Sequence, residues 1–497
     1  MQLQTEYSTG ATSVVRSQQL QEFLQLRMSK PQRHRLLHGF PLAAAMPFAS
    51  DEVRKMSDTT DERFALRYQD DRKLLVGVLP HSFCNPKIAG CGFCTFPHEA
   101  FSSLKAAAVV NGVIREIESR STSASRLAGR SIHGLYFGGG TANLTPPIPF
   151  RNLCRKLNEV FDLSQAEVTL EGVPAYFLNR KPLLLDILQQ ELNARHFRLS
   201  MGVQTFSRSR LEQMGRLAFG GPDVFAEVVE NAHARGMTVS ADLLFNLPGQ
   251  SLSEMKEDLS QAVNLGLDQI CLYHLVLFRG MGSPWARDVR ILASLPENET
   301  ASRNWESLRG HLLARGYRQT TLTNFERDEL QNDSRRYLYE LMSFQPDRFD
   351  MLGFGPSGIS YAKHTSRSSA LKTMNPESAA EYLQAVQQRR TVWNRYYEFG
   401  SSGLKLLHAT RQLSALRIDR RRYQQAFESD VCYDYAQEVE TLVRARLLDV
   451  TDAAVSLTTR GMFYADSVAA VLAHRQLGRR RDTPISQHAN DNSGGHM

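Results

Sequence analysis

Three cysteines, Cys84, Cys91 and Cys94, fall within eleven residues in the segment LPHSFCNPKIAGCGFCTFPHEAF, in the order C-x6-C-x2-C. The other three, Cys154, Cys271 and Cys432, are scattered and read as buried apolar fillers. In a reducing compartment a lone cysteine cluster points to metal or redox chemistry rather than to disulfides. Structural zinc wants four ligands, usually as two paired knuckles; the chain has no second pair, so His81 or His98 would have to complete the set. Three thiolates alone suit a [4Fe–4S] cube and leave its fourth iron open to a small molecule. Three unrelated buried thiols are the remaining alternative.

Further groups with chemical potential follow at the ends of hydrophobic runs. HGLYFGGGTANLTP carries Gly138, Gly139 and Gly140, whose unobstructed backbone amides can meet a charged amino-acid moiety or a phosphate, although a triple glycine also makes an ordinary tight loop. It lacks the G-x-x-x-x-G-K-S/T and G-x-G-x-x-G arrangements of nucleotide-phosphate sites. Glu171 in VTLEGVP, Gln204 in SMGVQTF and Asp242 in SADLLFNLPGQ each end a predicted strand, and Arg216 follows in LEQMGRL. One such residue is an ordinary cap or solvated contact; three on successive strands fit one polar pocket.

The elements that must position these groups alternate between two periods. Short β-branched or aromatic runs at Leu74–Leu79, His133–Phe137, Glu167–Glu171, Arg198–Val203, Thr238–Phe245 and Gln269–Leu275 are separated by helical stretches such as Ala106–Ser119, Phe150–Phe161, Pro222–Ala234 and Ser251–Leu265. Ser251 with Glu254 three residues on is a capping-box signature. Six βα units predict an α/β fold, an open or partial (β/α)6 barrel, with functional groups at the carboxyl ends of its strands. The 497 residues exceed one hydrophobic core, and a second, mainly helical accessory domain is expected after it. The expected division is an N-terminal extension or lid over 1–45, the barrel over 46–297, the accessory and C-terminal domain over 298–475 and a disordered tail over 476–497.

Composition excludes collagen-like, wholly disordered and disulfide-scaffold classes, with 42% hydrophobic and 22% charged residues. A net charge of +7 over this length is too dilute to indicate nucleic acid. No apolar run approaches a bilayer span and no secretory leader is evident, so a cytoplasmic enzyme without a membrane partner is expected. Arg420–Arg422 read as a solvated helix face, Arg479–Arg481 as a basic tail, and His34 and His38 as surface or packing residues.

Taken together, the cysteine triad, GGGT, LEGVP, GVQTF with GR twelve residues after the Gln, DLLFNLPGQ, LGFGPSGISY and LTTRG resemble the radical S-adenosylmethionine superfamily. More narrowly they are similar to the oxygen-independent coproporphyrinogen III dehydrogenase-like (HemN-like) group, over residues 70 to 475. That group also contains haem chaperones, haem-opening methyltransferases and natural-product methylases and cyclopropanases. The resemblance implies that Cys84, Cys91 and Cys94 hold a [4Fe–4S] cluster whose open iron is chelated by the amino and carboxylate groups of S-adenosylmethionine. Gly138, Gly139, Gly140 and Thr141 would line the amino end. Glu171, Gln204, Arg216 and Asp242 would contact the methionyl or ribose part, Phe93 is the aromatic between the last two cysteines, and Leu247–Gln250 would shape the adenine side. Tyr273 and His274, ending a strand that faces the site, are the substrate-side candidates. LGFGPSGISY is expected to form a tight turn abutting the site from the far side.

Two departures stand out. The group's usual spacing is C-x3-C-x2-C, where this chain has six residues between the first two cysteines. Its Tyr-x-His-x-Pro-Phe is replaced by Val78-Leu79-Pro80-His81-Ser82-Phe83, and its additional cysteine by Phe96. These losses disfavour coproporphyrinogen as substrate. The expected reaction is one-carbon transfer to an unsaturated carbon of an aromatic natural product or tetrapyrrole, using one or two molecules of S-adenosylmethionine and an external electron donor such as flavodoxin or ferredoxin. Oxidative decarboxylation and a non-catalytic haem chaperone are the alternatives.

Overall fold

The computed structural model describes residues 18–33, 40–53, 68–69, 71–84, 91–96, 99–121, 127–364, 368–388 and 391–474. His34, His38, the stretch 85–90 between the first two cysteines, His98, Arg479–Arg481 and the tail expected to be disordered lie outside them.

Six parallel strands form the centre of the molecule: β1 (Lys73–Val78), β2 (Gly134–Phe137), β3 (Glu167–Gly172), β4 (His196–Gln204), β5 (Thr238–Phe245) and β6 (Gln269–His274). Each pairs in parallel with the next in sequence. Leu74, Val76 and Val78 in β1, and Val168 and Leu170 in β3, are completely buried, as strands covered by helices require. The described residues begin in a helix, α1 (18–28), and the crossovers are α2 (Ser103–Arg120), α3 (Pro147–Val160), α4 (Leu184–Glu191), α5 (Pro222–His233) and α6 (Leu252–Asn264). Helix α6 starts on the expected capping box: Ser251 Oγ accepts from the Glu254 N–H, and the Glu254 carboxylate accepts from the Ser251 N–H at 2.8 Å. The α/β partial barrel inferred from alternating periods is present.

The sheet does not stop at the boundary expected near residue 298. After α7 (Asn298–Leu313), the hairpin of β7 (Tyr317–Gln319) and β8 (Asn324–Arg327) adds antiparallel to β6. A short helix, α8 (Tyr339–Ser343), precedes β9 (Phe349–Phe354), which returns to pair in parallel with β1. Strands β10 (Ile359–Lys363), β11 (Ala370–Met374) and β12 (Arg395–Phe399) extend that edge antiparallel, completing twelve strands. The turn expected in LGFGPSGISY lies between β9 and β10. A Cβ on Gly355 would stand 2.0 Å from the Leu79 carbonyl oxygen, so this turn packs directly on the chain leaving β1 for the cysteines.

Inside the barrel, the α8 segment fills the space between the strands. A Cβ on Gly134 would meet the Tyr339 ring at 2.6 Å. Buried Arg198 donates to Gln269 Oε1 from Nε at 3.0 Å and lies 3.9 Å over the Tyr337 ring. Beyond β12, helices surround a three-stranded sheet of Arg417–Asp419, Ala454–Leu457 and Leu448–Val450. Within its arginine run, Arg422 grips Asp347 through Nε and Nη2 at 2.8 and 2.5 Å, and Arg420 pairs with Asp430, so these two are anchors rather than a solvated face. Helix α1 buries Leu20 and Leu24, and Phe23 packs on His474 at 4.7 Å. No helix among the described residues is long and apolar enough to cross a membrane.

Candidate active site

The chain leaving β1 reaches Cys84 within six residues, and Cys84, Cys91 and Cys94 gather with Phe93, Val173, Tyr176 and Phe219 in one cluster at the carboxyl ends of the strands. None of the three cysteines is joined in a disulfide. Thr141 Oγ1 donates to Cys84 Sγ at 3.3 Å, and Arg216 Nη1 donates to Cys91 Sγ at 3.0 Å. Burial pushes the Cys94 thiol up, and the charges of Cys91 and Cys84 add to that. Among the described residues no three His, Cys, Asp or Glu groups converge as one metal ion requires. A four-iron cube takes its thiolates at separate corners instead, and a bound metal deprotonates such thiols outright.

The glycine loop is built for close approach. A Cβ on Gly138 would lie 2.8 Å from Tyr136 Cε1 and 3.0 Å from Glu171 Oε2; one on Gly140, at φ +52°, would press on the backbone oxygens of Phe83 and His81. Side chains there would fill the space between the loop, Glu171 and the cysteine segment. Tyr136 donates its hydroxyl to Glu171 Oε2 at 2.9 Å. Asn143 ties the same loop to the end of β3, donating to the Val173 carbonyl at 2.8 Å and accepting from its N–H at 3.2 Å.

At the end of β4 a register shift between Gly202 and Gln204 places Gln204 at φ +71°. Gln204 Nε2 and Arg216 Nη2 stand 2.9 and 3.1 Å from where a Gly202 Cβ would be, so both side chains converge over that glycine. Arg216 is 6% exposed and also donates to the Gly202 carbonyl, which aims its fork at the cysteines. Asp242, half-buried on β5 and paired in register with Cys271 of β6, is near enough to Tyr136 to act on it electrostatically. Leu247 of the LPGQ turn is buried with Met214 and Leu244, against Phe93, Tyr273 and Trp285.

The pair Tyr273 and His274 separates. Tyr273 joins the apolar group containing Phe93, whereas His274 stacks on Phe245 at 5.2 Å, packs on Phe463 at 5.1 Å and approaches the Gln32 carbonyl at 3.2 Å from Nδ1. The expectation that both face the site is corrected for His274, because adjacent strand residues point to opposite faces. Burial holds its pKa down at about 4. Three site residues escaped the sequence reading: Tyr136, Asn143 and Trp285. The first two stand inside or beside the glycine motif, but only their partners on β3 give them meaning.

Residues 78–262 match the family model of the radical SAM superfamily, whose members use a [4Fe–4S] cluster and S-adenosylmethionine. Anaerobilin synthase of Escherichia coli O157:H7 is 31% identical over 236 residues, 47% of this chain and 49% of that protein. Heme chaperone HemW of Lactococcus lactis is 25% identical over 47% of this chain and 58% of its own length. The chain thus spans about half the length of these curated relatives. Oxygen-independent coproporphyrinogen III oxidase of Synechocystis sp. is 24% identical over 87% of this chain and 92% of that protein. In fold, coproporphyrinogen III oxidase (HemN) from Escherichia coli superposes with a TM-score of 0.68 at 19% identity, over 87% of this chain and 95% of that one. With its cysteines, glycine loop and polar strand ends at one mouth of the barrel, the chain carries a radical SAM domain with HemN-like relatives.

Proposed function

We propose that this protein is a HemN-like enzyme that reductively cleaves S-adenosylmethionine to a 5′-deoxyadenosyl radical. Its task in this reading is one-carbon transfer to an unsaturated carbon of a tetrapyrrole or another aromatic natural product. The observation that carries the reading is the donor set around the thiols. Cys84 and Cys91, read here as cluster ligands, each receive a hydrogen bond from a residue assigned to the cofactor pocket, Thr141 and Arg216. When bound, the cluster supplies the low-potential electron that no side chain can.

The chain's own residues do the rest. Gly138 to Gly140 present backbone without side chains to the amino end of S-adenosylmethionine, and Glu171, held by Tyr136, receives its ammonium. The Arg216 fork suits the carboxylate, and Asp242 suits a ribose diol because a carboxylate accepts two hydrogen bonds. Phe93, Leu244 and Leu247 keep water from that side of the pocket. A relative named as a bilin synthase supports a tetrapyrrole substrate, and the missing Tyr-x-His-x-Pro-Phe argues against coproporphyrinogen. Decarboxylation remains the second reading because the match to the Synechocystis oxidase runs almost the whole chain.

The test is anaerobic reconstitution with iron, sulfide, dithionite and S-adenosylmethionine, which should release 5′-deoxyadenosine. Absence of cleavage with every candidate substrate sinks the enzyme reading in favour of a haem chaperone. With a deuterated methyl group on the cofactor, deuterium in 5′-deoxyadenosine supports one-carbon transfer; its absence with release of carbon dioxide supports decarboxylation. Cys91→Ala should lose the four-iron spectrum.

A further inference from the structure

Between the cysteines of the C-x2-C pair, Gly92 is gripped from two sides. Its N–H donates to the Met214 carbonyl at 3.2 Å, and its carbonyl accepts from the Trp285 backbone N–H at 2.9 Å. Trp285 belongs to the connection from β6 to α7, far along the chain, and its ring lies flat against the glycine. A Cβ there would fall 2.1, 2.4 and 2.5 Å from Nε1, Cδ1 and Cε2 of the indole. Gly92 is not in the left-handed region, so the ring, not the backbone, excludes a side chain. The same indole meets the Phe93 ring edge-on at 6.3 Å. Gly92 and Cys91 are buried beneath it while Trp285 itself stays half-exposed.

We propose that Trp285 is a positioning residue for the cluster-binding loop, clamping Gly92 between Cys91 and Cys94 and covering that face of the cluster against solvent and dioxygen. The proposal rests on the reading that these cysteines hold the cluster. A loop with one residue between a ligand and its aromatic neighbour has few internal bonds; here the Cys94 N–H to Cys91 carbonyl contact at 3.0 Å closes the turn. A clamp from another part of the chain supplies what so short a loop cannot, and a flat apolar ring is a cover that offers no ligand of its own.

The full chain, reconstituted anaerobically, provides the test. Wild type, Trp285→Ala and Trp285→Phe are exposed to air, and decay of the iron–sulfur absorption band is followed with iron content. Trp285→Ala should lose the band several-fold faster, with Trp285→Phe nearer to wild type because a ring remains. Gly92→Ala should take up less iron, and Gly92→Ala/Trp285→Ala should recover uptake because removing the indole frees the space for the methyl group. Wild-type decay in Trp285→Ala, or no recovery in the double variant, overturns the proposal. Should Trp285→Ala fail to fold by circular dichroism, Trp285→Leu, which keeps apolar bulk without the ring, carries the decay comparison, and decay in it at the wild-type rate would then overturn the clamp. Failure of the underlying reading looks different: Cys91→Ala would keep the full four-iron spectrum.

Discussion

Asn143 offers a quantitative test of how the site is held together. Its amide is wholly buried and bridges the glycine loop to Val173, directly after Glu171 and Gly172 on β3. In Asn143→Ala both bonds go, with unequal consequences. The Val173 carbonyl keeps the Tyr176 N–H at 3.2 Å, whereas the Val173 N–H loses its Asn143 acceptor. One lost net hydrogen bond plus one stranded donor sums to about 2–3 kcal/mol. Gly172→Ala reaches the same contact from the other side, since its Cβ would sit 2.0 Å from the Asn143 side-chain carbon and 2.2 and 2.4 Å from its oxygen and nitrogen. It should cost at least as much, and the double variant little more than Asn143→Ala alone, because the methyl then occupies vacated space. Urea unfolding, read as a midpoint shift at unchanged slope, measures all three. Binding of S-adenosylmethionine should weaken in parallel, as Glu171 is displaced. A loss below about 0.5 kcal/mol for Asn143→Ala, the range of ordinary surface changes, or strict additivity in the pair, would refute the reasoning.

Two further expectations concern charge. Tyr136→Phe removes the hydroxyl that holds Glu171 and should raise the Kd for S-adenosylmethionine about tenfold, the worth of one bond to a charged group. The effect should vanish in a Glu171→Gln background, and an equal effect there would assign Tyr136 a merely structural role. Burial lowers the pKa of His81, His196, His274 and His408 to about 4, from 6.5 in the unfolded chain. Their contribution to stability is complete above pH 6.5 and is lost as pH falls through 4, because the unfolded chain takes up protons first. Melting temperature should therefore drop between pH 6.5 and 4, and His196→Asn should make the drop shallower; an unchanged slope would count against it.

The six central strands and their helices were legible because their signals are local. A doubly buried parallel strand reads as a short apolar run, and a capping box needs only four residues, so Thr238–Phe245 and the start of α6 lie where periodicity put them. Glu171 and Gln204 stand at the carboxyl ends of β3 and β4, whereas Asp242 lies in the middle of β5. Strands β7 to β12 were not foreseen. They are short, several alternate buried polar with apolar residues, and β9 earns its place only by pairing with β1 across most of the chain. His274 packs on Phe245 and Phe463 rather than beside Tyr273 because strict alternation along β6 opposes the two side chains.

What the amino-acid sequence determined by itself is the chemistry available and the architecture that carries it: three grouped thiols, a side-chain-free glycine loop, and polar residues on three of six strands. Only the tertiary structure decided which groups meet. Arg216 reaches Cys91, Asn143 locks onto Val173, and Trp285 closes on Gly92, each between segments distant in the chain. Periodicity and propensity are set by neighbours within a few residues, whereas such contacts depend on closure of the whole barrel, where the space left by one missing Cβ selects its partner.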